Sequence, residues 1–127
     1  HATTTTTTTT QVTFKSAAVN MKTACAVTAA DDLVCWGDFT TWATTWQNMG
    51  PVPTGKFLMV DGKYDCYAGL RTNGSVIIFG FCASGLVTGL GSSSFDGPYT
   101  EISFSGATLC GLTLAGAISC SSYDAGL

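Results

Sequence analysis

Apolar and polar positions alternate along this chain in short runs. No segment carries the 3.6-residue apolar spacing of an amphipathic helix. The runs fall in pairs about small polar turns, the pattern of β-hairpins. Three segments share one layout: residues 25–37 (CAVTAADDLVCWG), 68–80 (AGLRTNGSVIIFG) and 110–122 (CGLTLAGAISCSS). Aligned without gaps, Val27, Leu70 and Leu112 coincide, as do Leu33, Val76 and Ile118. The copies lie 43 and 42 residues apart. Turns are predicted at Ala30-Asp31, Asn73-Gly74 and Ala115-Gly116. A further apolar run precedes each hairpin: Phe14 to Val19, Phe57 to Val60 and Ile102 to Phe104. Alternation already begins at Gln11-Val12-Thr13-Phe14, which extends the strand pattern toward the amino terminus.

A period in the low forties with several strands per unit signals propeller blades or a β-solenoid. The predicted fold is all-β, with about three propeller-like antiparallel blades forming a partial or assembled propeller. Residues 1–13 form an extended arm. Residues 14–127 form the repeat domain, in units 14–55, 56–101 and 102–127.

Six cysteines in 127 residues is an even count and a high density. In a short chain this points to disulfides and an extracellular, oxidising setting. Cys25 and Cys35 sit symmetrically about the first turn, and Cys110 and Cys120 repeat that placement in the third copy. In the second copy Ile78 occupies the matching position. Cys66 lies two residues before the first equivalent position, Ala68, and Cys82 two residues beyond Gly80, so both move outward and are expected to pair with each other. A zinc site is disfavoured, because there is no CxxC pair and the one histidine is His1. No metal and no cofactor are expected, apart from covalent glycans.

Thr3, Thr4, Thr5, Thr6, Thr7, Thr8, Thr9 and Thr10 form an unbroken tract. β-Branched side chains disfavour helix, so the tract is expected to be extended. It has two readings: an O-glycosylated stalk, or an unmodified flexible tail. Asn73-Gly74-Ser75 is an N-glycosylation sequon placed on a turn, and Asn-Gly is itself a tight-hairpin signal.

Net charge is −3, and the five cations, Lys15, Lys22, Lys56, Lys63 and Arg71, are scattered. Nucleic acid is therefore not an expected partner. No apolar stretch approaches a membrane-spanning length. The chain opens on His1 with no signal segment and reads as a processed or truncated product.

The string at 25–37 resembles the repeat of the regulator-of-chromosome-condensation family of β-propellers. It resembles more the secreted, cysteine-bearing versions, as in crinkly-type plant receptor kinase ectodomains. Cys110-Gly111-Leu112 and the 116–120 segment fit the same pattern, and the resemblance spans about residues 14–122. It implies four-stranded blades about a central axis. Such propellers usually close with about seven blades, and this chain holds at most three, so the activities of the full propeller are not carried over.

Three functional classes remain. The first is a structural subunit of an extracellular glycosylated fibril or surface appendage. It would assemble head-to-tail with copies of itself through the arm and the open sheet edges. The second is a secreted carbohydrate-binding module, with Trp36, Phe39, Trp42, Trp46, Tyr64 and Tyr67 as stacking candidates. Trp42 and Trp46 serve equally well as packing or interface anchors. Asp31, Asp32 and Asp38 raise calcium, though turn carboxylates are more often simply solvated. The third, an enzyme, is not expected: no acid–base or nucleophilic constellation stands out, and the lone histidine is terminal.

Overall fold

The computed structural model describes residues 11–37, 52–80, 82, 98–105 and 108–122. Among them run nine strands: β1 (Phe14–Val19), β2 (Thr23–Thr28), β3 (Leu33–Gly37), β4 (Phe57–Lys63), β5 (Cys66–Arg71), β6 (Val76–Gly80), β7 (Tyr99–Phe104), β8 (Thr108–Thr113) and β9 (Ile118–Ser122). They form three antiparallel sheets ordered β1-β2-β3, β4-β5-β6 and β7-β8-β9. The fold is all-β and propeller-like, as the repeat predicts. Each sheet has three strands among the described residues, where the resemblance implied four.

The repeat positions meet across the hairpins. Val27 pairs with Leu33, Leu70 with Val76, and Leu112 with Ile118. The first strand of each sheet carries a bulge just after an aromatic residue, at Phe14/Ser16, Phe57/Met59 and Tyr99/Glu101. β1 begins at Phe14, so of the strand expected over Gln11–Phe14 only the last residue lies in a strand. β7 begins at Tyr99, three residues before the expected start of the third unit.

All three hairpins turn the same way. The N–H groups of Thr28, Arg71 and Thr113 donate to the carbonyls of Asp32, Ser75 and Ala117 (2.9, 2.8 and 2.9 Å). That leaves three-residue loops whose last residue is left-handed: Asp31 (φ 71°), Gly74 (φ 87°) and Gly116 (φ 85°). The Asn73-Gly74 pair therefore lies in a three-residue loop rather than a two-residue turn. Its glycine supplies the positive φ that this loop requires.

The sheets stack face on face, and two apolar cores fill the spaces between them. Ala18, Cys25 and Val27 of the first sheet meet Phe57, Val60, Tyr67 and Phe79 of the second. Ala68, Leu70 and Ile78, on the opposite face of the second sheet, meet Tyr99, Ile102, Phe104 and Leu109 of the third. Alternation along β5 explains this double duty, because Tyr67 points one way and Ala68 and Leu70 the other. β2 and β5, each flanked by two strands, are buried along nearly their whole length.

Candidate functional site

Two internal joints share one construction. The buried Phe57 ring packs in one core with Val27, Leu33 and the Cys25–Cys35 bridge, and the buried Tyr99 ring in the next core with Ala68, Leu70 and Ile78. The N–H of each aromatic donates to the carbonyl of the left-handed turn residue in the preceding sheet: Phe57 to Asp31 (2.8 Å) and Tyr99 to Gly74 (3.0 Å). Three residues on, a second N–H reaches a side chain of the preceding sheet. Val60 donates to Ser16 Oγ (3.1 Å) and Ile102 to Met59 Sδ (3.4 Å). Ser16 and Met59 are repeat-equivalent, so both joints use one set of positions with different acceptor chemistry.

Glycine makes room for each ring. A Cβ on Gly69 would lie 2.7 Å from Phe57 Cε1, and one on Gly111 would collide with the Tyr99 ring. The first sheet carries Ala26 at the equivalent position. Phe14 lacks such a slot, and its ring stands 52% exposed.

Each joint has a further polar clasp. The N–H groups of Lys22 and Thr23 both donate to Asp65 Oδ1 (3.2 Å each), and the Thr23 hydroxyl donates to the same oxygen (2.8 Å). With that proton committed, the Tyr67 hydroxyl is left to donate to Thr23 Oγ1 (2.6 Å). Burial pushes the Tyr67 phenol above its ordinary range. The polar side chains of Thr23 and Asn20 beside it partly offset that rise, and the nearby Asp65 charge adds to it. At the second joint the Phe104 N–H donates to Asp61 Oδ2 (2.8 Å).

The stack ends in two unmatched faces among the described residues. The outward face of the third sheet carries the Cys110–Cys120 bridge, Leu112 and Ile118, the last 73% exposed. They occupy the positions that Ala68, Ile78, Leu70 and Val76 fill inside the second joint. A shallow, mostly apolar cleft runs there between Glu101, Ser103, Leu112 and Ile118. The outward face of the first sheet shows Phe14, Val34 and Trp36, all exposed. Their counterparts Phe57, Ile77 and Phe79 are packed inside the first joint.

All three cysteine couples are bonded as the spacing predicted: Cys25–Cys35, Cys66–Cys82 and Cys110–Cys120. Asn73 is exposed on its loop, and its Oδ1 accepts from the Ser75 N–H (3.0 Å) and hydroxyl (2.6 Å). Thr3–Thr10, Phe39, Trp42, Trp46 and Asp38 lie outside the described residues. Tyr67 is not a sugar-stacking residue, because its ring is buried inside the first joint against Phe79 (centroids 5.5 Å apart). Asp31 and Asp32 are engaged by Lys15 and Lys56 respectively. No cluster of metal-ligating side chains forms among the described residues. No helix among them is long and apolar enough to cross a membrane.

Sequence reasoning opened the first two runs at Phe14 and Phe57 but missed Tyr99 as the third aromatic of the set, although the three keep the same 43- and 42-residue spacing. It also missed the glycines that accept the rings and the Asp65 clasp.

No protein-family profile and no curated protein sequence matches the chain. Solved structures do. The CRINKLY WD40 ectodomain of the Arabidopsis thaliana receptor kinase ACR4 superposes with a TM-score of 0.62 at 17% identity, over 88% of this chain and 37% of that one. The ectodomain of the Physcomitrella patens receptor kinase CR4 gives 0.62 at 16% identity, over 88% and 28%. Human WBSCR16 gives 0.58 at 18% identity, over 87% and 34%. The chain thus spans about a third of these neighbours' length, and the likeness establishes a β-propeller-type fold.

Proposed function

We propose that this protein is a structural subunit of an extracellular glycosylated fibril or surface appendage, built head-to-tail from copies of itself. The observation that carries this reading is the three-sheet stack with an apolar face open at each end among the described residues. Propellers close with about 4–8 blades, and the described residues form three sheets. Open apolar faces on a stable domain favour association, and a heterologous contact that does not close propagates into a filament. The arm precedes β1, an edge strand, and is suited to adding a strand to a neighbour's sheet. The three disulfides support an extracellular setting.

We further infer that the repeat is of the regulator-of-chromosome-condensation type. The 25–37 string and its matched hairpin registers support that assignment. The Thr tract and Asn73 are the proposed glycan carriers, and the role is non-catalytic.

Electron microscopy of native particles, with mass spectrometry of the intact chain, tests the reading. Fibres with a regular axial repeat and a ladder of sugar masses are expected. Removing residues 1–13 should abolish assembly. Unassembled particles that bind on a glycan array would replace this role with a secreted carbohydrate-binding module.

A further inference from the structure

Resting on the fibril reading above, we propose that successive copies meet through the internal sheet-to-sheet joint repeated in trans. The first-sheet face of one copy docks on the third-sheet face of another, with Phe14 entering the cleft beside Leu112 and Ile118.

The chain displays this joint twice, and each open end holds one half of a third. Inside the molecule the receiving half has a paired apolar couple, Val27 with Leu33 or Leu70 with Val76. Among the described residues the third sheet carries the same couple, half-buried Leu112 with exposed Ile118, on its outward face. The entering half opens with an aromatic ahead of a bulge, Phe57 or Tyr99. The first sheet presents Phe14 in that place, ahead of its own bulge.

The polar positions match as well. Asp31 and Gly74 each give a turn carbonyl to the entering aromatic's N–H. Gly116 is the third such residue, and the space where its Cβ would stand is empty. It is placed to accept from Phe14 of the next copy. Ser16 and Met59 accept the second N–H of the entering strand. Their equivalent is Glu101, which lines the cleft and offers a carboxylate, a stronger acceptor than either. Its donor is the N–H of Ala17 in the next copy. Ala26 adds to the fit: by denying Phe14 a slot in its own sheet, it leaves the ring projecting as a knob.

The joint fixes which faces meet. Repeated without axial offset it brings six sheets together, within the range at which propellers close, and gives a two-copy ring. Repeated with an offset it gives a filament. The form of the assembly therefore separates the fibril reading from the joint.

The experiment places Phe14→Asp and Ile118→Asp singly in the full chain, so that the two altered faces repel each other as well. Both side chains are exposed, so the fold should survive, as checked by circular dichroism and by the mass of the three intact bridges. Sedimentation and electron microscopy should show each variant monomeric at concentrations where the wild type assembles. The critical concentration should rise by about 10- to 100-fold. Phe14→Tyr should assemble normally. Mixing the two charged variants should give a one-to-one dimer that grows no further, because each retains the face the other lacks. Wild-type-like assembly by either variant, or a mixture that stays monomeric, would overturn the joint. Filaments indifferent to both variants would remove the joint and keep the fibril reading. Rings sensitive to both would keep the joint and remove the fibril. A wild type that never associates would overturn both.

Discussion

Gly69→Ala is expected to destabilise the protein through a ring that the alanine does not directly replace. The new Cβ would lie 2.7 Å from Phe57 Cε1 and 3.0 Å from Cδ1. Carbon atoms pack favourably at about 3.5–4.0 Å, so the ring must retreat by roughly 1 Å. It has nowhere to go, because Phe57 is fully buried in the core shared with Val27 and Leu33. Overpacking of this kind costs about 1–3 kcal/mol. Replacing glycine returns about 0.4–1 kcal/mol by restricting the unfolded chain. The net loss is about 0.5–2 kcal/mol, or roughly 2–8 °C in Tm for a chain of this length. Thermal and urea unfolding with the disulfides intact measure it. The assignment to the ring is checked in a Phe57→Leu background, where a shorter side chain makes room and the alanine should cost less than half as much. A Gly69→Ala protein as stable as the wild type, with Phe57 present, would refute the slot argument.

Four further outcomes are expected. Asp65→Ala removes the acceptor shared by the Lys22 and Thr23 N–H groups and the Thr23 hydroxyl, and should cost about 2–4 kcal/mol in urea unfolding. Tyr67 titrates above its ordinary value of 10.0 when folded, so its contribution is complete below the unfolded value and is lost as pH rises beyond it. Tyr67→Phe should therefore flatten the fall of Tm on the alkaline side and leave the neutral-pH slope alone. Replacing Cys66 and Cys82 together by serine opens a bridge of sequence separation 16 and should cost about 3 kcal/mol, read as a lower denaturation midpoint. Asn73→Gln should remove a single glycan mass from the intact protein and leave any Thr-borne ladder in place.

The hairpins were legible because their signals are local. Val27 with Leu33, and Cys25 with Cys35, sit symmetrically about a turn, and a period-2 strand leaves them no other register. The bulges were not legible: one extra residue after Phe14, Phe57 or Tyr99 changes no composition, yet it lets the aromatic face the same joint as the residue three positions on. Tyr67 illustrates a second limit. Its sequence context suits a surface stacking residue equally well, and only the arrival of the first sheet buries it. Asp65 is a third case. Its partners lie 42 and 43 residues away, and nothing nearby distinguishes it from a solvated turn carboxylate. The end faces were not foreseen: the repeat count pointed to unpaired strand edges, and the stack adds whole sheet faces open at its ends among the described residues, because the units associate through faces.

Electron cryomicroscopy of the native assembled particle, at a resolution that shows side chains, tests most directly whether the two end faces of this stack complete one another. The account predicts the Phe14 ring of each copy seated against Leu112 and Ile118 of its neighbour at every junction. Particles joined through any other surface, or single stacks with both end faces left in solvent, would contradict it.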